Sequence, residues 1–117
     1  MDKFTARIVG IVAKGKQKGR ELGFPTANLV LLDSALKSGV YAGKAIFDGG
    51  EYVAAIFVPD LGNLLEAHIL DFQGDLYGKE IEVAVGRKIR EALRFKSEKE
   101  LVSQISKDLL QIRSAKI

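Results

Sequence analysis

Residues 13 to 28 read Ala-Lys-Gly-Lys-Gln-Lys-Gly-Arg-Glu-Leu-Gly-Phe-Pro-Thr-Ala-Asn, and they hold the residue types best suited to binding an anion. Glycine lets backbone N–H groups approach an anion closely, and neighbouring lysines add charge, so the run from Gly15 and Lys16 to Gly19 and Arg20 fits a phosphate cradle. It has neither the Walker A spacing nor the dinucleotide glycine pattern. Taken alone, a solvated hairpin loop is the plainer reading. Pro25 then fixes φ just ahead of Thr26 and Asn28. In an extended segment the side chains at i and i+2 point the same way. Thr26 and Asn28 can therefore offer two neutral oxygens to one hard cation such as Mg²⁺, which keeps its other positions for water and phosphate. The competing reading is a turn held by Thr and Asn hydrogen bonds.

A carboxylate is the second candidate. On Leu64-Leu65-Glu66-Ala67-His68-Ile69-Leu70-Asp71, the residues Leu65, Ala67 and Ile69 share one apolar face. Glu66 and His68 fall on the other with Leu64 and Leu70, a mixed face that suits the mouth of a barrel, although a solvated strand glutamate is the simpler alternative. Glu80 and Glu82 look solvated on a regular amphipathic strand, and Asp71 has the opposite parity to Glu66. His68 is the only histidine. With no second histidine for a metal site and no serine or cysteine nucleophile motif, it reads as a structural or rim residue.

The elements that must position these groups are short. Residues 4–12, 39–47, 51–58, 64–71 and 79–85 read as strands, rich in β-branched and aromatic residues or alternating in polarity. Asp48-Gly49-Gly50 and Gln73-Gly74-Asp75 supply turn chemistry, and residues 13–28 read as a long ordered loop. A helix is expected from about Glu98 to Ile112. Ser97 and Glu100 form its capping box, and Leu101, Val102, Ile105, Leu109 and Ile112 its apolar stripe. The fold class expected is mainly β, an antiparallel barrel with a C-terminal α-helix packed on it; an open sheet covered by the helix is the alternative.

Composition sets the outer bounds. A chain of 117 residues, with 47% hydrophobic and 28% charged residues, is expected to form a single domain over 1–117. It has no cysteine, so disulfides, thiolate metal sites and cysteine nucleophiles are excluded. That accords with a cytoplasmic location, as does a start lacking signal-peptide character. No apolar run is long enough to span a bilayer as a helix, and no membrane partner is expected. The formal charge of +3 is mild. Its basic residues gather at Lys14, Lys16, Lys18 and Arg20, and again at Arg87, Lys88, Arg90 and Arg94.

The run from Gly10 through Val12, Gly15, Gly19-Arg20 and Leu22-Gly23-Phe24-Pro25-Thr26-Ala27-Asn28 resembles the signature of riboflavin kinases, including the kinase half of bacterial bifunctional FAD synthetases. The resemblance continues at Gly39-Val40-Tyr41-Ala42, Glu66 to Phe72, Leu76-Tyr77-Gly78, Ile89-Arg90-Glu91 with Phe95, and Leu101 to Leu109. It implies a six-stranded Greek-key barrel with a C-terminal helix, and an enzyme that moves the terminal phosphate of ATP, with Mg²⁺, onto riboflavin to give FMN. It matches Thr26 and Asn28 to metal and phosphate contacts, and Gly15 to Gly19 to the loop over the nucleotide phosphates. Glu66 matches the base at the riboflavin hydroxyl, and Arg90 and Phe95 the segment that closes on the flavin. In place of the usual Asn-Ile-Gly followed by Pro-Thr, the chain has Ala55-Ile56-Phe57-Val58-Pro59-Asp60-Leu61-Gly62, in a shorter loop. No nucleotidyltransferase domain stands upstream in this sequence, so FAD is not an expected product. The chain is expected to act as a monomer without a nucleic-acid partner. Three alternatives remain open: an RNA-binding barrel using the basic clusters, a flavin-binding module without turnover, and the same enzyme with another donor nucleotide.

Overall fold

The structure, a computed structural model, describes residues 6–13, 26–30, 36–59, 64–72, 74, 76–91 and 97–114. Its strands are β1 (Ala6–Ile11), β2 (Thr26–Val30), β3 (Gly39–Phe47), β4 (Gly50–Val58), β5 (Leu64–Ile69) and β6 (Glu80–Arg90). The helix that follows is α1 (Glu98–Ser114).

The tightest connection shows how local sequence sets the pairing. Phe47 and Gly50 face each other across β3 and β4, leaving Asp48 and Gly49 as the whole turn. Both turn residues have positive φ, 50° and 75°. A two-residue turn of that kind matches the twist of the flanking strands, and aspartate followed by glycine is the pair that adopts it most readily.

The strands form one antiparallel sheet in the order β1-β6-β3-β4-β5-β2. Strands β3, β4 and β5 follow one another as neighbours, and β6 returns beside β3, which is a Greek-key arrangement. The ends of the order meet just beyond β1, where the Ala13 N–H donates to the Asn28 carbonyl at 2.7 Å. The sheet is thereby a nearly closed barrel, as the sequence predicts.

Two elements differ from expectation. The loop expected over residues 13–28 ends in a strand, because Ala27 and Leu29 are taken into the barrel interior. The last strand also runs on past Val85 to Arg90. It does so through two irregularities: Gly43 faces Val85, Tyr41 faces Lys88 and Val40 faces Arg90, so β6 holds one extra residue at each step. Such bulges bend a strand and break its alternation. Arg87, Lys88 and Arg90 therefore belong to the sheet rather than to a connection between strand and helix.

The barrel interior is filled by alternate residues of every strand, among them Leu29, Ile56, Leu65, Ile81, Val83 and Val85, each no more than 2% exposed. Phe47, Tyr52 and Phe72 pack ring on ring within this interior cluster, at centroid distances of 4.7 to 5.4 Å. A smaller cluster lies on the outer wall, where Ile112 of α1 packs on Ala42 and Ala55, with Val53 and Ile89 around it. Alanine at those two wall positions leaves room for the helix. Ser97 caps α1 by accepting the N–H of Glu100 at 3.2 Å, as its sequence predicts.

Candidate active site

Alternation along β2 and β5 separates structure from chemistry. Ala27, Leu29, Leu65 and Ala67 enter the core, so Asn28 and Glu66 must face outward. They are direct partners across the two strands, as are Thr26 and His68. Partners of this kind hold their Cβ atoms about 5 Å apart. The amide expected to hold a metal and the carboxylate expected to act as a base, far apart in sequence, are thus neighbours on one outer wall. They sit two residues in from the end where β5 begins and β2 finishes.

Asn28 is 2% exposed, and among the described residues its side-chain oxygen has no hydrogen-bond partner. Burying an amide oxygen without a donor costs about 1–3 kcal/mol, so this atom is poised for a positive or protic group. Its neutrality and hardness suit Mg²⁺. Among the described residues no group of three or more His, Asp or Glu side chains could hold a metal ion. Thr26 shares the face of Asn28 by strand parity; its side chain lies outside the described residues. So do Gly15, Lys16, Gly19, Arg20 and Pro25 of the expected phosphate loop, and Phe95.

The register continues the wall beyond Glu66. Phe57 faces Glu66 from β4, Val40 faces Phe57 from β3, and Arg90 faces Val40 from β6. One row of partners therefore runs Asn28, Glu66, Phe57, Val40, Arg90. At about 4.8 Å per strand, Arg90 stands roughly 14 Å along the sheet from Glu66.

Arg90 ties this row to the helix. Its Nε and Nη2 donate to the two carboxylate oxygens of Asp108 at 2.9 and 2.8 Å, and Nη1 donates to the Glu91 carbonyl at 2.9 Å. Gln104 adds a third donor to Asp108 at 3.0 Å. The side chains of Arg90 and Asp108 are 18% and 5% exposed. His68 lies buried nearby on the same wall. Burial pushes its pKa down to about 4, against the opposing pull of the Asp108 charge, so the imidazole is neutral near pH 7. The expectation of a structural histidine matches this setting.

Asp108 was not among the residues singled out from the sequence, yet a signal was present. It falls three residues after Ile105 and four before Ile112, inside the apolar stripe of α1, where a carboxylate needs a partner.

A family model described as riboflavin kinase, or flavokinase, matches residues 3–116. The chain belongs to the riboflavin kinase family. It is 40% identical over 109 residues to an RNA-binding riboflavin kinase of Bacillus subtilis, covering 87% of this chain and 47% of that protein. It is 38% identical over 114 residues to a bifunctional riboflavin kinase/FMN adenylyltransferase of Escherichia coli, covering 91% of this chain and 36% of that protein. The chain spans about half, or less, of the curated relatives it matches. Among solved structures, a riboflavin kinase from Trypanosoma brucei superposes with a TM-score of 0.67 at 27% identity, over 92% of this chain and 76% of that one. A Streptococcus pneumoniae structure described as a macrolide-efflux protein superposes with a TM-score of 0.84 at 32% identity, over 94% of this chain and 39% of that one. The riboflavin kinase barrel and its C-terminal helix are thus shared. None of the described helices is long and apolar enough to cross a membrane.

Proposed function

We propose that this chain, acting over residues 1–117 as one kinase unit, transfers the terminal phosphate of ATP to the terminal ribityl hydroxyl of riboflavin, giving FMN and ADP. The observation that carries the reading is the Asn28–Glu66 pair: a buried amide oxygen with no partner among the described residues, directly across the strands from a half-buried carboxylate, in a chain of the riboflavin kinase family.

The chemistry needs positioning and charge neutralisation more than covalent help. Asn28 and Thr26 would hold Mg²⁺, which supplies positive charge to the phosphates when bound. The backbone of the Gly15–Gly19 loop, with Lys16 and Arg20, would contribute N–H groups and charge to the same phosphates. Pro25 would fix φ just ahead of Thr26 in this reading. Glu66 accepts the proton of the ribityl hydroxyl as its oxygen bonds to the γ-phosphorus and the bond to the ADP oxygen breaks. Arg90 and Phe95 belong, in this reading, to the segment that meets the flavin. The pairing of Arg90 with Asp108 gives Arg90 an anchoring part in that task. A monomer without a nucleic-acid partner, located in the cytoplasm, completes the proposal. Because one relative is named as RNA-binding, binding of this chain to RNA across a salt series is a worthwhile control, since phosphate-backbone contacts weaken steeply with salt.

The test is direct. The protein is incubated with riboflavin, ATP and Mg²⁺, and riboflavin is resolved from FMN by chromatography. Glu66→Gln keeps the shape and removes the basic oxygen, so turnover should fall by roughly 10²-fold or more while substrate binding holds. No FMN from the parent protein defeats the kinase reading. A Glu66→Gln protein with parental single-turnover rates removes Glu66 as the base.

A further inference from the structure

Phe57 is a half-buried aromatic on the outer wall, the direct cross-strand partner of Glu66. Its other neighbour in the row, Val40, is 3% exposed, and Ala55, two residues back on the same face, is 3% exposed beneath α1. Phe57 belongs to neither apolar cluster formed by the described residues. Nor does it share in the ring packing of Phe47, Tyr52 and Phe72. Among the described residues, this large apolar side chain joins neither core, and it is held beside the carboxylate that faces Asn28. It also lies in Ala55-Ile56-Phe57, where the chain departs from the family's sequence pattern.

We infer that Phe57 determines acceptor specificity: its ring fills the wall beside Glu66 and favours the ribityl alcohol over water as the phosphoryl acceptor. The inference rests on the kinase reading of the same site and deepens it. Water carries the same O–H group as the alcohol. A carboxylate able to take the proton of one can take the proton of the other. In the water reaction the oxygen of water bonds to the γ-phosphorus, the bond to the ADP oxygen breaks, and the proton passes to Glu66, yielding ADP and inorganic phosphate. The carboxylate itself does not discriminate, so discrimination falls to the space beside it. At a cross-strand Cβ distance of about 5 Å, the Phe57 ring borders that space. It offers no hydrogen bond to water, and it offers apolar contact to the carbon chain that carries the ribityl hydroxyl. Excluding water is a recognised way for a site to suppress hydrolysis of a reactive group.

The test compares ADP and FMN formed from Mg-ATP and riboflavin by the full chain, together with phosphate release when riboflavin is left out. The parent is expected to form ADP and FMN in equal amounts. Phe57→Ala should raise the ADP-to-FMN ratio by about tenfold, the lower end of what a lost apolar contact does to discrimination. Phe57→Leu, which keeps an apolar filling, should stay near the parent. A merely structural role would lower both products together and leave their ratio unchanged. Equal ADP and FMN from Phe57→Ala overturns the inference while leaving the kinase reading standing. So does failure of Phe57→Ala to fold, because it would make Phe57 a core residue. A parent that makes no FMN defeats the kinase reading, and this inference with it.

Discussion

Replacing Asp108 by Asn tests what joins the helix to the barrel wall. The substitution keeps the size of the side chain and removes its charge. The carboxylate receives three hydrogen bonds, two from Arg90 and one from Gln104, and is 5% exposed. Arg90, at 18% exposed, would then retain a charge with little water around it. Breaking a buried pair by removing one partner costs about 3–5 kcal/mol, and the residual exposure of Arg90 argues for the lower end, about 3 kcal/mol. For a chain of this size each kcal/mol moves the melting temperature by roughly 4 °C, so Tm should fall by about 10 °C. The double variant Arg90→Met with Asp108→Leu removes both charges and keeps the bulk. It should recover most of that loss, because no buried charge is left unpaired. Circular dichroism in a urea series measures all three proteins. An Asp108→Asn protein within about 0.5 kcal/mol of the parent would refute the reasoning, since it would mean that water reaches Arg90 as readily as in an exposed pair.

Replacing Asn28 by Ala should remove the orphaned amide oxygen, stabilising the apo protein or leaving it unchanged, while weakening Mg-ADP binding; unchanged nucleotide affinity by calorimetry would strip Asn28 of its metal-side role. His68 supplies the pH dependence: its folded pKa of about 4 lies below the unfolded value near 6.5, so between these the unfolded chain binds more protons. Stability should therefore be full above about pH 6.5 and fall by on the order of 3 kcal/mol as pH drops toward 4, and His68→Gln should flatten the profile across that window. A parental slope in His68→Gln would place the acid sensitivity elsewhere.

Strand and helix signals that lie within a few residues were legible. The Asp48-Gly49 turn, the Ser97 cap and the inward parity of Leu65, Ala67 and Ile69 all follow from local rules, and the structure has them. Strand β2 was not legible as a strand. Its Thr-Ala-Asn-Leu-Val follows a glycine-rich run and includes alanine and asparagine, which strands disfavour, and only pairing with β5 makes it one. The far half of β6 was hidden for a different reason: its bulges break the period of two on which a strand is recognised.

The same distinction explains the site. Alternation assigns Glu66 to the outer face, but it does not say which side chain lies opposite. That depends on the register between β2, β5 and β4, which the barrel core sets by drawing Ala27, Leu29, Leu65, Ala67 and Ile56 inward together. A slip of one residue in β2 would turn Asn28 into the interior, where an amide has no place, and would expose Leu29. The apolar residues of the barrel thus hold Asn28 against Glu66 through packing that neither residue shares. Phe57 is brought to Glu66 by the same register from the other side. The row that would do the chemistry is a consequence of core packing, so substitutions inside the barrel at Leu29 or Leu65 should disturb turnover through register even though neither side chain faces the substrate.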